Sequence, residues 1–395
     1  MSLLTTPVRQ DLVVLSLEPW DDVWRRNQHL IAGLLADDPG LHVLFVEPPV
    51  DHLHDLRRGA PLTLGRRLRR LTADDGVPEG RAWALRPTKW LPRRLAPGAD
   101  RRRAGRIARV ARRLGMPDPV LWVNDPDGAA VLRATGWRAL YDVTDDWLRA
   151  DRPAAELDRI RSNEDLLLAD CAEVVVCSPA LARSKGEASG RPVTVVTNGV
   201  DLAAYRRPVP RPHDLPDGAY ALYVGTLHPD RLDTTACLRL ATTLRAAGTP
   251  LVLVGPALMD PLDLTRLEAA GALLLGPRPA AEVPGYLQHA AALVVPHRVD
   301  DFTDSLDPIK LYEYLAVGRP IVSTPVAGFR DQPADRVAIA SPQRLPEAVL
   351  RAISAPAAPP SALSGSSAPT EVPRWSDQVR RMDRVLTRVR AARPR

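Results

Sequence analysis

Short apolar runs alternate along this chain with segments whose apolar residues recur at helical spacing. In the first half the runs Asp11–Leu17, His42–Val46, Val120–Val123, Arg138–Asp142, Glu173–Cys177 and Val193–Val196 read as buried strands. Helices are predicted over Val23–Leu35, capped by Asp21 or Asp22, over Arg101–Leu114 and over Glu156–Asp170, and from Ser178 with Pro179 in the first turn. Tyr205–Pro216 has no periodicity and is rich in Pro, His and Asp, so it reads as a linker. The same grammar then restarts. Strands are predicted at Tyr220–Val224, Pro250–Val254, Ala272–Leu275, Ala292–Val295 and Pro320–Ser323, with helices over Asp233–Ala247, Pro284–Ala291 and Pro308–Val317. Residues 355–371 are rich in Ala, Pro and Ser and read as a mobile connection. Trp375–Arg390 places Val379, Met382, Val385 and Val389 on one helical face.

Strands alternating with helices predict an α/β fold of two doubly wound parallel sheets. The expected domains are 1–207 and 217–365, with a helix at 375–395 returning to the first. Ligands of such sheets bind outside the carboxyl ends of the strands, so two sheets facing across a linker predict a cleft lined by those ends.

Composition narrows this picture only slightly. With 395 residues, 45% apolar and 25% charged, the chain is long enough for two cores. No apolar run is long enough to span a bilayer, and MSLLTTPVRQ lacks the pattern of a secretory signal. Three cysteines, Cys171, Cys177 and Cys237, predict buried thiols in a reducing cytosol, and no histidine or cysteine spacing suits zinc.

The charge is uneven. Arg57–Arg113 holds 18 Lys and Arg against 4 Asp and Glu, a net +14, so the +6 of the whole chain leaves −8 elsewhere. Arg66-Arg67-Leu68-Arg69-Arg70 and Arg101-Arg102-Arg103 lie in this segment. A solvated arginine face and contact with an anionic membrane are both open readings. Nucleic acid is not expected, because interleaved aromatics are missing.

The chemistry concentrates at Asp307-Pro-Ile-Lys-Leu-Tyr-Glu-Tyr-Leu-Ala-Val-Gly318. Asp307 and Pro308 predict a helix start, and Lys310 and Glu313 fall on one face. The amides opening the helix suit a diphosphate, Lys310 adds a point charge, and Glu313 suits a ribose diol. The same spacing also describes a plain surface Lys–Glu pair.

Taken with Arg26-Asn-Gln-His-Leu30, Ala169–Ser178, Asn198-Gly-Val-Asp201, Tyr223-Val-Gly-Thr226 and Pro296-His297, this block resembles the retaining GT-B glycosyltransferases, in particular glycosyltransferase family 4. The likeness spans about residues 10 to 350. It implies transfer of a sugar from a nucleoside-diphosphate sugar, with retention and without metal or other cofactor. It implies a donor site at Gly225, Thr226, Arg278, His297, Asp307, Lys310 and Glu313, with Arg231 and Lys310 bearing the phosphate charge. Asp142 and Asp145 are the expected contacts to the transferred sugar, with Arg26 and Asn124 on the acceptor side; Trp20, near the first loop, reads equally as an acceptor-side stacking ring and as core. One departure is clear: Ser305 stands where the family often carries a second glutamate, with Asp304 and Asp307 nearby. The implied partners are a nucleotide sugar and a glycan, glycolipid or small aglycone acceptor. The implied location is cytoplasmic, peripheral to the inner membrane face if the arginine segment binds lipid. A sugar-nucleotide epimerase and a silent nucleotide- or lipid-binding scaffold are the alternatives.

Overall fold

A computed structural model of the chain describes residues 9–51, 68–89, 98–355 and 372–392. The connection expected at 355–371 and the Arg66-Arg67 part of the basic run lie almost wholly outside these. The described chain divides into two compact units. The first takes the chain to Leu148, Arg152–Val196 and the segment from Ser376, and the second takes Arg149–Asp151 and Thr197–Trp375.

The first unit contains β1 (Gln10–Leu15), α1 (Arg26–Asp37), β2 (Leu41–Val46), β3 (Val50–Asp51), β4 (Leu68–Arg70), β5 (Ala82–Leu85), β6 (Thr88–Lys89) and α2 (Ala99–Arg113). It continues through β7 (Val120–Val123), α3 (Ala129–Thr135), β8 (Ala139–Val143), α4 (Ala154–Asp170), β9 (Glu173–Val176), α5 (Pro179–Ser189) and β10 (Thr194–Val195). Its main sheet has the order β10-β9-β8-β7-β1-β2-β5-β4, and only β4 runs antiparallel to its neighbour. Strands β1 and β7, flanked on both sides, are buried almost throughout, as fully covered parallel strands must be.

The second unit contains α6 (Leu202–Arg206), β11 (Ala221–Val224), α7 (Thr234–Ala246), β12 (Leu251–Val254), α8 (Pro261–Ala269), β13 (Ala272–Gly276), α9 (Val283–Gln288), β14 (Ala292–Val295), α10 (Ile309–Val317), β15 (Ile321–Ser323), β16 (Val337–Ile339) and α11 (Leu345–Ser354). Its sheet runs β13-β12-β11-β14-β15-β16, all parallel. Counted within the unit this is 3-2-1-4-5-6, the order of dinucleotide-binding sheets, with its switch point between β11 and β14. The last helix, α12 (Trp375–Ala391), belongs to the first unit from Ser376 on. It buries Met382, Val385, Leu386 and Val389 completely, and Val379 fills the space beside Gly33 of α1 so closely that a Cβ there would lie 2.4 Å from it.

Three expectations shift. Helix α1 starts at Arg26 rather than Val23, because Asp21 Oδ1 accepts the Val23 amide in a tight turn and Gln28 Oε1 accepts the Arg25 amide. Asp233, where a helix is expected to begin, caps α7, but Asp307 does not cap α10, which has Pro308 at that position. The chain enters the second unit at Thr197, ahead of the expected linker, so Asn198-Gly199 and Tyr205 pack with the second unit.

Candidate donor and acceptor sites

The carboxyl ends of β11 and β14 carry the densest chemistry of the second unit. Beyond β11 the chain turns at Gly225, whose φ of +148° suits only glycine. A Cβ there would lie 3.1 Å from both Lys310 Cε and the Tyr223 hydroxyl. Lys310 therefore lies over the Gly225 backbone, with Nζ 5.2 Å from the centre of the Tyr223 ring. The Tyr223 hydroxyl is 3.1 Å from His297 Nε2. His297 is itself buried beyond β14. The loop after Thr226 is clipped to the same place. Asp233 N donates to Pro296 O at 2.9 Å, and Arg298 N to Arg231 O at 2.8 Å.

Helix α10 is held so that Lys310 faces this turn. The Val224 amide donates to the Tyr314 hydroxyl at 2.9 Å, and Asp307 accepts the Asn198 amide and the Tyr312 hydroxyl, each at 2.5 Å. Asp307 thus joins Asn198-Gly199 to the start of α10, with its carboxylate already engaged by protein, which corrects its expected place at the donor. One turn after Lys310, Glu313 Oε1 accepts the Tyr205 hydroxyl at 2.6 Å. Its Oε2 makes no hydrogen bond among the described residues.

The electrostatics couple these groups. Lys310 makes no ion pair or hydrogen bond among the described residues. Burial and the nearby Arg231 pull its ammonium down to about 8, with Glu313 opposing. Burial, then Lys310 and Arg231, hold His297 well below the usual imidazole range, so it is neutral at pH 7. Burial raises Glu313, opposed by the Tyr205 hydrogen bond and Lys310. The site is a concentration of positive charge with one carboxylate, set against the amides that open α10.

Gly225, His297, Lys310 and Glu313, with Arg231 through its charge, are thus brought together, and Thr226 adjoins them in the chain. Arg278 is engaged elsewhere: its Nε donates to the Tyr286 hydroxyl at 2.7 Å, and Nη2 to Asp214 at 2.5 Å. Ser305 is buried and donates to Phe302 O at 2.7 Å, while Asp304 pairs with Arg330 at 2.7 Å. Neither nearby aspartate stands open as a substitute for the absent glutamate. Tyr205 and, beyond its place in a motif, Tyr223 were not assigned to the site from the sequence; partners 108 and 74 positions away leave no local signal.

In the first unit the switch point lies between β1 and β7. Asp142 at the end of β8 is fully buried. Its carboxylate accepts from Arg26 at 3.0 and 3.2 Å, from Trp122 Nε1 at 3.2 Å and from Asn124 Nδ2 at 3.1 Å. So saturated, it anchors Arg26 and Asn124 rather than reaching a sugar. Asp145 is also buried and accepts from the Thr144 hydroxyl at 3.0 Å. Its neighbour Asp146 pairs with Lys185 at 2.9 Å. Trp20, 4% exposed, packs edge-on against Phe45 at 5.0 Å and donates to Asp75 O, so its ring is core and not a stacking platform. Among the described residues, the buried acceptors Asn124 Oδ1 and Asn27 Oδ1 near this switch point have no hydrogen-bond partner, the latter on a side chain that donates to Ser16.

Residues 218–355 match the family described as Glycosyl transferases group 1. A Bacillus subtilis protein named as the teichuronic acid biosynthesis glycosyltransferase TuaH is 23% identical over 220 residues, 52% of this chain and 55% of its own. The chain therefore spans about half the length of that curated relative. Among solved structures, sucrose-phosphate synthase of Thermosynechococcus elongatus superposes with a TM-score of 0.60 at 18% identity, covering 97% of this chain and 94% of that one. The Anabaena protein HepE, solved with UDP and glucose, superposes at 0.63 with 14% identity, over 96% of this chain and all of its own. These likenesses establish the fold, two parallel-sheet α/β domains of the GT-B kind.

Proposed function

We propose, on the premise that residues 218–355 are a glycosyl transferase group 1 domain, that this protein transfers a sugar from a nucleoside-diphosphate sugar to an acceptor hydroxyl. The observation that carries this reading is Lys310. It is a half-buried ammonium without an ion pair among the described residues, beside the amides opening α10 and the strand ends where nucleotides bind such sheets. Its charge is disfavoured by burial, so an incoming diphosphate relieves a cost already present. Breaking the glycosidic bond builds charge on the leaving phosphate, which Lys310, Arg231 and the α10 amides stabilise more than the ground state. Glu313, with Oε1 fixed by Tyr205, keeps Oε2 for the ribose hydroxyls. HepE has been solved with UDP-glucose, which supports a UDP-type donor in this fold.

The reaction we favour retains the anomeric configuration by front-face transfer, the leaving phosphate oxygen taking the acceptor proton. It needs no metal, since fixed cations hold the phosphates. The acceptor belongs to the first unit, where the carbonyls of Asn27 and Asn124 call for hydroxyl donors. A glycan, glycolipid or small aglycone meets that demand, and the name of TuaH supports a surface glycan. Among the described residues no helix is long and apolar enough to cross a membrane. The exposed Arg101, Arg102, Arg109, Arg112 and Arg113 of α2 support peripheral contact with an anionic cytoplasmic membrane face.

Purified protein incubated with a panel of UDP-, GDP- and dTDP-sugars and mixed acceptors, in EDTA, should yield a glycosylated product and free nucleoside diphosphate. A donor isomerised without any acceptor would instead identify an epimerase. The buried Ser305 favours one second reading, a nucleotide-binding relative without transfer; donor binding with no turnover on any acceptor would select it.

A further inference from the structure

A second basic site lies in the first unit, at the β10 edge of its sheet. An open cavity of about 620 Å³ is lined by Arg191, Thr194 and Glu173 on one side and by Arg381, Arg384 and Arg388 of α12 on the other. The three helical arginines fall at i, i+3 and i+7, one stripe along the helix. Four guanidiniums face one carboxylate, and that carboxylate is fully used. Arg388 grips both Glu173 oxygens at 2.9 Å. Arg191 is fixed by the carbonyls of Cys171 at 2.8 Å and Ala172 at 2.6 Å and makes no ion pair among the described residues. Arg381 and Arg384 are exposed and make no ion pair among the described residues. Shielding a sheet edge from pairing asks for charge on the strand itself. It does not ask for a cavity of ligand size walled by arginines from a separate helix.

We propose that this cavity binds a multivalent phosphate anion. Arginine's planar fork suits phosphate oxygens in pairs, and Arg191 and Arg388 are already held in place by the fold. The site is independent of Lys310, which belongs to the other unit. The phosphate comes either from a free oligophosphate or from a phospholipid headgroup.

The test is chemical protection in the wild-type protein. Phenylglyoxal modification of Arg381 and Arg384, read by peptide mass, should slow at least fivefold in millimolar inorganic pyrophosphate at low salt, or with vesicles containing phosphatidate. Protection by pyrophosphate alone assigns a soluble ligand, and protection by vesicles alone assigns a lipid. Unchanged modification in both overturns the proposal. Calorimetry separates the site from the donor site. With whichever probe protects, pyrophosphate or phosphatidate vesicles, Lys310→Ala protein should still bind, and adding Arg381→Gln and Arg384→Gln should weaken that binding at least tenfold. Equal binding with and without the two glutamines also overturns it.

Discussion

At the residue scale, Lys310 makes a specific pH prediction. Its ammonium is held near 8, so the cation is lost as pH rises through that value. The donor KM of the wild type should climb between pH 8 and 9.5. That of Lys310→Arg, whose guanidinium stays charged, should remain flat. The unliganded fold should behave oppositely. Between about 8 and the ordinary 10.5 the unfolded chain binds the extra proton, so stability rises with pH across that window. A level KM profile in the wild type would remove Lys310 from the phosphate. Asp142 makes the complementary case. Because it neutralises a buried Arg26, Asp142→Asn should cost about 3–5 kcal/mol in chemical denaturation. A loss of turnover with unchanged stability would return Asp142 to the sugar. Lys310 and Glu313 were legible in the sequence because helical spacing alone puts them on one face. Tyr205 and the engagement of Asp142 were not, because their partners sit 108 and 116 positions away. Trp20 stayed open between core and stacking ring for a related reason: an aromatic beside a loop does not declare which side of it is core.

At the element scale, the turn after β11 and the start of α10 work as one part. The Tyr314 hydroxyl receives the Val224 amide, which holds the helix against the strand end and Lys310 over Gly225. Gly225→Ala forces an L-residue to a φ of +148° and pushes a methyl into Lys310 and Tyr223. It should raise the donor KM at least tenfold, while far-UV circular dichroism stays that of the wild type. A variant with wild-type KM would show that the lysine is free to sit elsewhere. Most strands were readable as apolar runs, α5 from its Ser178 cap and Pro179, and α12 from periodicity. Strands β3, β4, β5, β6 and β16 and helices α3, α6, α8 and α11 were not, because segments of two to ten residues carry too little periodicity to set them apart from loops.

At the scale of the whole molecule, α12 closes the first unit although it follows the second in the chain. Its apolar stripe at Val379, Met382, Val385 and Val389 announced a buried face, and the fit of Val379 beside Gly33 shows what covers it. Met382→Ala should therefore destabilise the first unit by about 2–5 kcal/mol, seen as an earlier urea transition. An unchanged transition would mean the helix is dispensable to that core. The alternation of strand and helix gave away both sheets, yet the 3-2-1-4-5-6 order needed coordinates, since strand sequence does not dictate strand neighbours. That order is what assigns Gly225 and His297 to a single switch point.

The central claim is that Lys310 and Glu313 hold a nucleoside diphosphate at that switch point. Titration calorimetry of UDP, GDP, ADP and dTDP into the wild type, Lys310→Ala and Glu313→Ala addresses it most directly. At least one nucleotide should bind the wild type and bind each variant at least tenfold more weakly, about 1.4 kcal/mol. Binding that both variants retain in full, or no binding of any of the four to the wild type, would contradict it.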